Sequence, residues 1–258
     1  MKITLLQKKG KVEDRDFQNQ LEITIRNLIG NLSATATFSS FTKDGWATLT
    51  VNGEDTEVVS ELLAQNLGTI REGASEAELH GNYRGVVQSI SSSGLEVDIG
   101  IERPRPTLIN VKLNTLQAQL ADGQKIPAKR ITEFYCIFPQ TPITIRISRL
   151  SPDEIEAWLA DSQISHFSRW ITSGLERIQA YNCLPTHLDF TIRKAQLERD
   201  IVSTEQLSLT VQSIACKVGT NAIGLIPRIG SILRKSELKP FIPKRIEEEC
   251  RPWLPNDI

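Results

Sequence analysis

Residues 80–101 read HGNYRGVVQSISSSGLEVDIGI, and the reading of this stretch decides how the middle of the chain is built. Residues 80–91 and 94–101 are two runs rich in Val and Ile, joined by a Ser-Ser-Ser-Gly turn. Short β-branched runs around a tight turn predict a pair of antiparallel strands. The pattern continues outward. Beyond the stiff Arg103-Pro104-Arg105-Pro106 linker, residues 107–111 predict a third strand and residues 113–120 a short helix. Residues 126–131 and 143–150 predict two more strands, with Pro127 confining the fourth to an edge or bulge. Five strands with a short helix between the third and fourth is the layout of an OB barrel.

Upstream, residues 2–8 (KITLLQK) predict a strand. Residues 14–32 place Phe17, Leu21, Ile25, Leu28 and Ile29 at helical spacing, with Asp14 or Asp16 as cap. Residues 34–41 and 46–52 predict strands around a Lys43-Asp44-Gly45 turn. Residues 54–67 repeat Val58, Leu62, Leu63 and Leu67 on a helical face that Gly68 stops, and residues 69–71 add a last strand. The order β-α-β-β-α-β is that of a ferredoxin-like domain. Downstream, Ser151-Pro152-Asp153-Glu154 reads as a capping box opening a helix with Ile155, Trp158 and Leu159 on its apolar face. A second helix is expected over residues 162–181, strands at 188–192 and 207–216, and a last helix at 220–234. The fold class expected is α+β: a ferredoxin-like unit at residues 1–78, an OB barrel at 79–150 and an α+β unit at 151–258.

Arg84-Gly85-Val86-Val87, followed by Gly94-Leu95-Glu96-Val97-Asp98-Ile99-Gly100, resembles the opening of an S1-type RNA-binding domain. Leu113 and Leu116 fall at that family's S/P-x-x-L turn, and Gly123, Lys129 and Ile131 match its fourth strand approximately. The resemblance implies an S1-like barrel and RNA as partner. Leu95 stands where the family usually stacks an aromatic on a base, so sequence-specific readout is not expected. The whole chain also resembles an uncharacterised archaeal protein family with no assigned activity. That resemblance rests on Cys216-Lys217-Val218-Gly219-Thr220-Asn221-Ala222-Ile223-Gly224-Leu225-Ile226-Pro227, and on Asn52-Gly53-Glu54-Asp55 before a Val/Leu helix.

Over 258 residues, 30 Lys and Arg stand against 31 Asp and Glu, a formal charge of -1. This excludes a uniformly basic nucleic-acid binder and, with 40% hydrophobic residues, a wholly disordered chain. The total hides alternating blocks: counted by residue, segments 1–78, 79–149, 150–216 and 217–258 carry -4, +4, -4 and +3. Basic blocks either neutralise acidic ones within the fold or leave a basic face for a polyanion.

The expected RNA-binding residues come from the two basic blocks. Tyr83, Arg84, Arg103, Arg105, Lys112, Lys129 and Arg130 belong to the barrel, and Lys217, Arg228, Arg234 and Lys235 to the C-terminal segment. Phe134, Tyr135 and Phe138 either stack bases or cover the barrel end. The Lys217–Gly219–Thr220 junction offers backbone amides to a phosphate or is a tight turn capped by Thr220.

No GxSxG, HExxH, GxGxxG or GxxxxGK[ST] motif occurs, and neither the three histidines nor the four cysteines, which form no CxxC pair, have metal-ligand spacing. No catalytic residue, metal or cofactor is expected. With no signal-like or membrane-spanning run, the expected setting is the cytoplasm, with reduced thiols. The expected function is non-catalytic RNA binding in a ribonucleoprotein machine such as the ribosome or the RNA polymerase apparatus. The alternatives are a protein-interaction adaptor docking through the barrel and, lower, an enzyme acting on a phosphorylated small molecule at Gly219–Thr220.

Overall fold

The computed structural model describes residues 1–70, 77–101, 107–151 and 154–250. At the N-terminus β1 (Lys2–Lys8), α1 (Asp14–Ile29), β2 (Ala34–Phe41), β3 (Trp46–Gly53) and α2 (Thr56–Leu67) follow in order. The strands form an antiparallel sheet in the order β1-β3-β2, and Leu5 makes an isolated antiparallel bridge to Thr69. Helix α1 buries Phe17, Leu21, Ile25 and Ile29 as its spacing predicts. Its N-cap is Glu13, which makes no side-chain cap bond, and Asp14 and Asp16 lie in the first turn near the positive helix end. Helix α2 is rotated from the expected face: Val59, Leu63 and Leu67 are buried, and Val58 is exposed.

The middle of the chain is a closed five-stranded barrel. Its strands are β4 (Asn82–Ser91), β5 (Gly94–Ile101), β6 (Thr107–Lys112), β7 (Pro142–Leu150) and β8 (Ile155–Leu159), closed in the order β4-β5-β6-β8-β7. All pairings are antiparallel except β6 with β8. Two glycines of the opening stretch are sterically required. A Cβ on Gly85 would stand 2.6 Å from Val97 Cγ1 and 2.9 Å from the Asp98 carbonyl oxygen. Gly94 has φ +142°, and a Cβ there would lie 2.1 Å from the Val111 carbonyl oxygen.

Two expected elements of this region are corrected. Residues 126–131 are not a strand: α4 (Ala128–Phe134) follows α3 (Leu113–Leu120), with Pro127 as N-cap. Proline suits a helix start because its φ is preset and its missing N–H is not needed there. Ile131 joins Leu116 and Leu120 in the barrel's core, and Tyr135 Oη donates to the Leu120 carbonyl at 2.8 Å. The expected helix after Ser151 is instead β8. Ser151 Oγ accepts from the Glu154 amide at 3.1 Å and donates to the Glu154 carbonyl at 2.7 Å, a local turn; Pro152 and Asp153 of the expected capping box lie outside the described residues. Ile155, Ala157 and Leu159 then point inward while Trp158 is 47% exposed, a period of two. The barrel therefore extends past Leu150, where it was expected to end.

The remainder comprises α5 (Asp161–Thr172), β9 (Arg177–Tyr181), α6 (Pro185–Lys194), β10 (Ile201–Ser208), β11 (Val211–Cys216), α7 (Ala222–Gly230), β12 (Glu237–Phe241) and α8 (Pro243–Cys250). The expected long helix at 162–181 is α5 followed by β9, and the expected strand at 188–192 is the helix α6. The four strands form a sheet in the order β10-β11-β9-β12. One sheet face packs on α6 and α7 through Ile178, Ile214 and Leu225. The last elements return to the barrel: Phe241, Ile246 and Cys250 share its core with Trp170 of α5.

Two side chains tie the three parts together. Gln7 is buried; its Nε2 donates to the Leu67 carbonyl at 2.7 Å and its Oε1 accepts from the Leu209 amide at 3.0 Å. Arg84 of β4 donates to the Asn66 carbonyl at 2.8 Å and the Leu207 carbonyl at 2.7 Å. Hydrogen bonds from a charged donor contribute roughly 1.5–3 kcal/mol each. Arg84→Met should therefore lower unfolding free energy by about 3 kcal/mol, read as an earlier urea midpoint; an unchanged midpoint would show that the units hold together without this link.

Candidate nucleic-acid interface

Sequence alone nominated eleven side chains, and the fold distributes them over several surfaces. Tyr83 is buried: it is 6% exposed in the barrel core, and its hydroxyl accepts from the Glu78 amide at 2.8 Å. Arg84 is committed to the two carbonyls above, and burial lowers its pKa from the ordinary value. Arg103 and Arg105 lie outside the described residues.

Lys112 meets Glu156 at 2.8 Å and Glu154 at 3.9 Å. The hydrogen bond to Glu156 raises the lysine's pKa and lowers the carboxylate's. In OB barrels the ligand face uses the second and third strands. Here the corresponding β5 and β6 bring Glu96 and Lys112 together with Glu154 in one small depression, so that face is acidic and its lysine is already paired.

Two of the four nominated C-terminal cations are also engaged. Arg228 pairs with Asp200 at 3.3 Å and donates to the Ala195 carbonyl, and Lys235 reaches Glu13 of the N-terminal sheet unit at 2.5 Å. Lys217 and Arg234 are exposed and have no ion pair among the described residues. The start of α7 is occupied by the protein's own groups. Asn221, not Thr220, is the N-cap, accepting from the Gly224 amide at 3.0 Å, and the Ala222 amide donates to Glu176 Oε2 at 2.7 Å. A phosphate at this turn would compete with a carboxylate already there.

Cationic side chains converge at one place, between α4 and the returning β12–α8 segment. Two adjoining cavities of about 680 and 220 Å³ share Glu133 and Phe138 in their walls. Lys125 and Lys129 line the larger; Arg130, Lys239 and Arg245 line the smaller. Arg130 lies 4.6 Å and Arg245 5.5 Å from the Phe134 ring centroid, and Lys239 lies 4.8 Å from that of Phe138, all within cation–π range. Glu249 of α8 meets Arg130 at 2.8 Å and Arg245 at 3.6 Å, so one carboxylate answers two guanidinium groups. Lys239 pairs with Glu237 at 2.8 Å, while Lys125 and Lys129 are exposed with no ion pair among the described residues.

Lys129 and Arg130 are thus the nominated residues this site brings together. Lys239 and Arg245 join them only because the C-terminal segment folds back, and no spacing along the chain signals that. The aromatic cluster is divided between the core and the groove. Tyr135 is buried against Phe167 with ring centroids 5.2 Å apart, whereas Phe134 and Phe138 also form groove wall.

The four cysteines are free and buried; burial pushes the Cys183 thiol up to about 12 and the Cys216 thiol up to about 11. Among the described residues no group of three His, Cys, Asp or Glu side chains could hold a metal. No helix among them is long and apolar enough to cross a membrane.

The fold and its groove define a three-part α+β protein organised around a closed barrel. Models of the DUF2110 N-terminal, central and C-terminal domains match residues 2–73, 77–171 and 175–241, so the chain belongs to the DUF2110 family. No curated protein matches it.

One histidine carries a pH consequence. His166 of α5 stacks on Trp170 with ring centroids 4.4 Å apart and lies 4.0 Å from Glu205. Burial lowers its pKa from the ordinary 6.5, against the pull of Glu205 and with help from Arg169 and Arg177. The unfolded chain therefore binds this proton more readily than the folded one. The stability it contributes is present above pH 6.5 and is lost as pH falls toward the folded pKa. Urea midpoints taken from about pH 7 down to about pH 5 should fall more steeply for the native chain than for His166→Gln; equal slopes would contradict the assignment.

Proposed function

We propose that this protein is a non-catalytic RNA-binding protein that grips the phosphate backbone in the groove between α4 and α8. The observation that carries the reading is the convergence of Lys125, Lys129, Arg130, Lys239 and Arg245 around Phe134 and Phe138. Cations supply salt-dependent affinity for phosphates, and flanking rings add base contacts that are tolerant of sequence. The strand order and the parallel β6–β8 pair support reading the barrel as an S1-like OB domain, with its RNA contact moved off the acidic strand face. The sheet order β1-β3-β2 and the Leu5–Thr69 bridge support a ferredoxin-like reading of the N-terminal unit. The setting proposed is a cytoplasmic, archaeal ribonucleoprotein machine such as the ribosome or the transcription apparatus.

A second reading, a protein-interaction adaptor, is favoured by a different observation. Half of the described nominated cations, Lys112, Arg130, Arg228 and Lys235, already have acidic partners, while Trp158, Phe190 and Val218 stand exposed at 47%, 59% and 90%. Isolation from the native cell with protein subunits but no RNA would favour it.

The RNA reading is tested by anisotropy with a labelled single-stranded RNA. With four phosphates neutralised, raising salt from about 50 to about 200 mM should weaken binding about 50-fold. The double variant Lys125→Glu, Lys129→Glu should bind more weakly at both salts and show a shallower salt slope. Affinity that ignores salt, or a double variant that binds like the native chain, sinks the reading.

A further inference from the structure

A second cavity, unrelated to the α4–α8 groove, lies where the barrel, α5 and the C-terminal sheet meet. It encloses about 260 Å³, and its polar walls come from Arg84, Ser162, Gln163, Arg169, Gln179 and Glu205. Its charge is unbalanced in an informative way. Glu205 is answered by Arg177 at 3.8 Å, behind the wall, and faces His166 at 4.0 Å. Arg84 has no carboxylate partner among the described residues: its hydrogen bonds go to backbone carbonyls, and burial is the cause of its lowered pKa. Arg169 has no ion pair among the described residues, although its charge is felt at His166. Arg84 and Arg169 therefore line the cavity with no ion pair of their own among the described residues, and the one carboxylate in the wall, Glu205, is answered by Arg177.

Hydrogen-bonding capacity is left over at the same place. Gln179 is 1% exposed and spends one end of its side-chain amide on Tyr181 Oη at 2.7 Å. The other end has no hydrogen-bond partner among the described residues, although the residue forms part of the wall. Buried amides are normally satisfied at both ends, by protein or by something bound. Gln163 likewise uses its Oε1 on the Thr144 amide at 3.0 Å, leaving its Nε2 without a partner among the described residues. Arg84 cannot swing away, because its two carbonyl bonds fix the guanidinium; such preorganisation lowers the cost of binding.

We propose that this cavity is a binding site for a small oxyanion, a phosphate or phosphate monoester, held by Arg84 and Arg169 with Gln163 and Gln179 completing its hydrogen bonds. Guanidinium groups match the geometry of phosphate oxygens, and the volume exceeds that of phosphate alone, leaving room for a short organic substituent. The site is independent of the RNA groove: no residue lines both.

The test is thermal unfolding of the full chain with inorganic phosphate or glycerol 3-phosphate, against sodium chloride of equal ionic strength. Phosphate at about ten times its dissociation constant should raise the melting temperature by about 3 °C beyond chloride. Arg169→Glu should abolish that increment, and Arg169→Ala should reduce it; the side chain is exposed, so both should fold. Lys129→Glu, which alters only the RNA groove, should keep the full response. A larger effect from glycerol 3-phosphate assigns the site to a monoester, and equal effects assign it to phosphate. A rise no larger than that with chloride, one that persists in Arg169→Glu or one that vanishes in Lys129→Glu overturns the proposal, whatever the outcome with RNA.

Discussion

The C-terminal end of α2 is the point on which the assembly of this protein depends. A helix leaves its last carbonyls without internal partners, and its C-terminus carries partial negative charge. Here the Asn66 carbonyl takes the Arg84 guanidinium from the barrel and the Leu67 carbonyl takes the Gln7 amide from β1. The same two side chains extend to Leu207 and Leu209 at the β10–β11 turn. One helix end, one strand of the barrel and one hairpin thus share a small network in which each polar group answers another. Arg84 is held rigidly by it, which explains both why it is withdrawn from a surface role and why it can form a fixed wall of the neighbouring cavity.

The alternating charge blocks are resolved by the same folding. Much of the alternation is spent internally: Lys8 with Asp98, Lys112 with Glu156, Arg228 with Asp200 and Lys235 with Glu13 each join segments distant in sequence. The exposed pairs among them contribute little stability each. Their larger consequence is on the surface field, because a paired cation offers little to an RNA phosphate. Where one acidic residue, Glu249, serves two arginines, beside lysines with no ion pair among the described residues, a net positive groove remains.

Much of the architecture was legible along the chain. The GVV and GLEVDIG runs, separated by a Ser-Gly turn, specified β4 and β5, because Gly85 and Gly94 sit where any Cβ would collide with neighbouring atoms. Phe17, Leu21 and Ile25 likewise specified the buried face of α1. Most of the elements that differ from expectation are short. Ile155 and Leu159, four apart, satisfy the period of a helix and of a strand equally. The alternation over residues 188–192 suits a strand, yet they form α6 because Pro185 opens a helix there. In both cases the outcome rests on neighbours: the barrel takes Ile155–Leu159 as the strand that joins β6 to β7, and local propensity is too weak to oppose closure.

The candidate sites divide along the same line. By itself the sequence determined residue chemistry and local periodicity: the basic blocks, the clustered Phe134, Tyr135 and Phe138, the glycines of the barrel hairpin and the absence of any familiar catalytic motif. Tertiary structure alone decided which cations remain available, because ion pairing depends on distances that sequence separation does not encode. Lys129 and Arg245 are more than a hundred residues apart, yet they line adjoining parts of one groove once β12 and α8 return to the barrel. Arg84, adjacent to Tyr83 in a strand, is turned inward because the end of α2 needs a donor and the barrel is the element that supplies it.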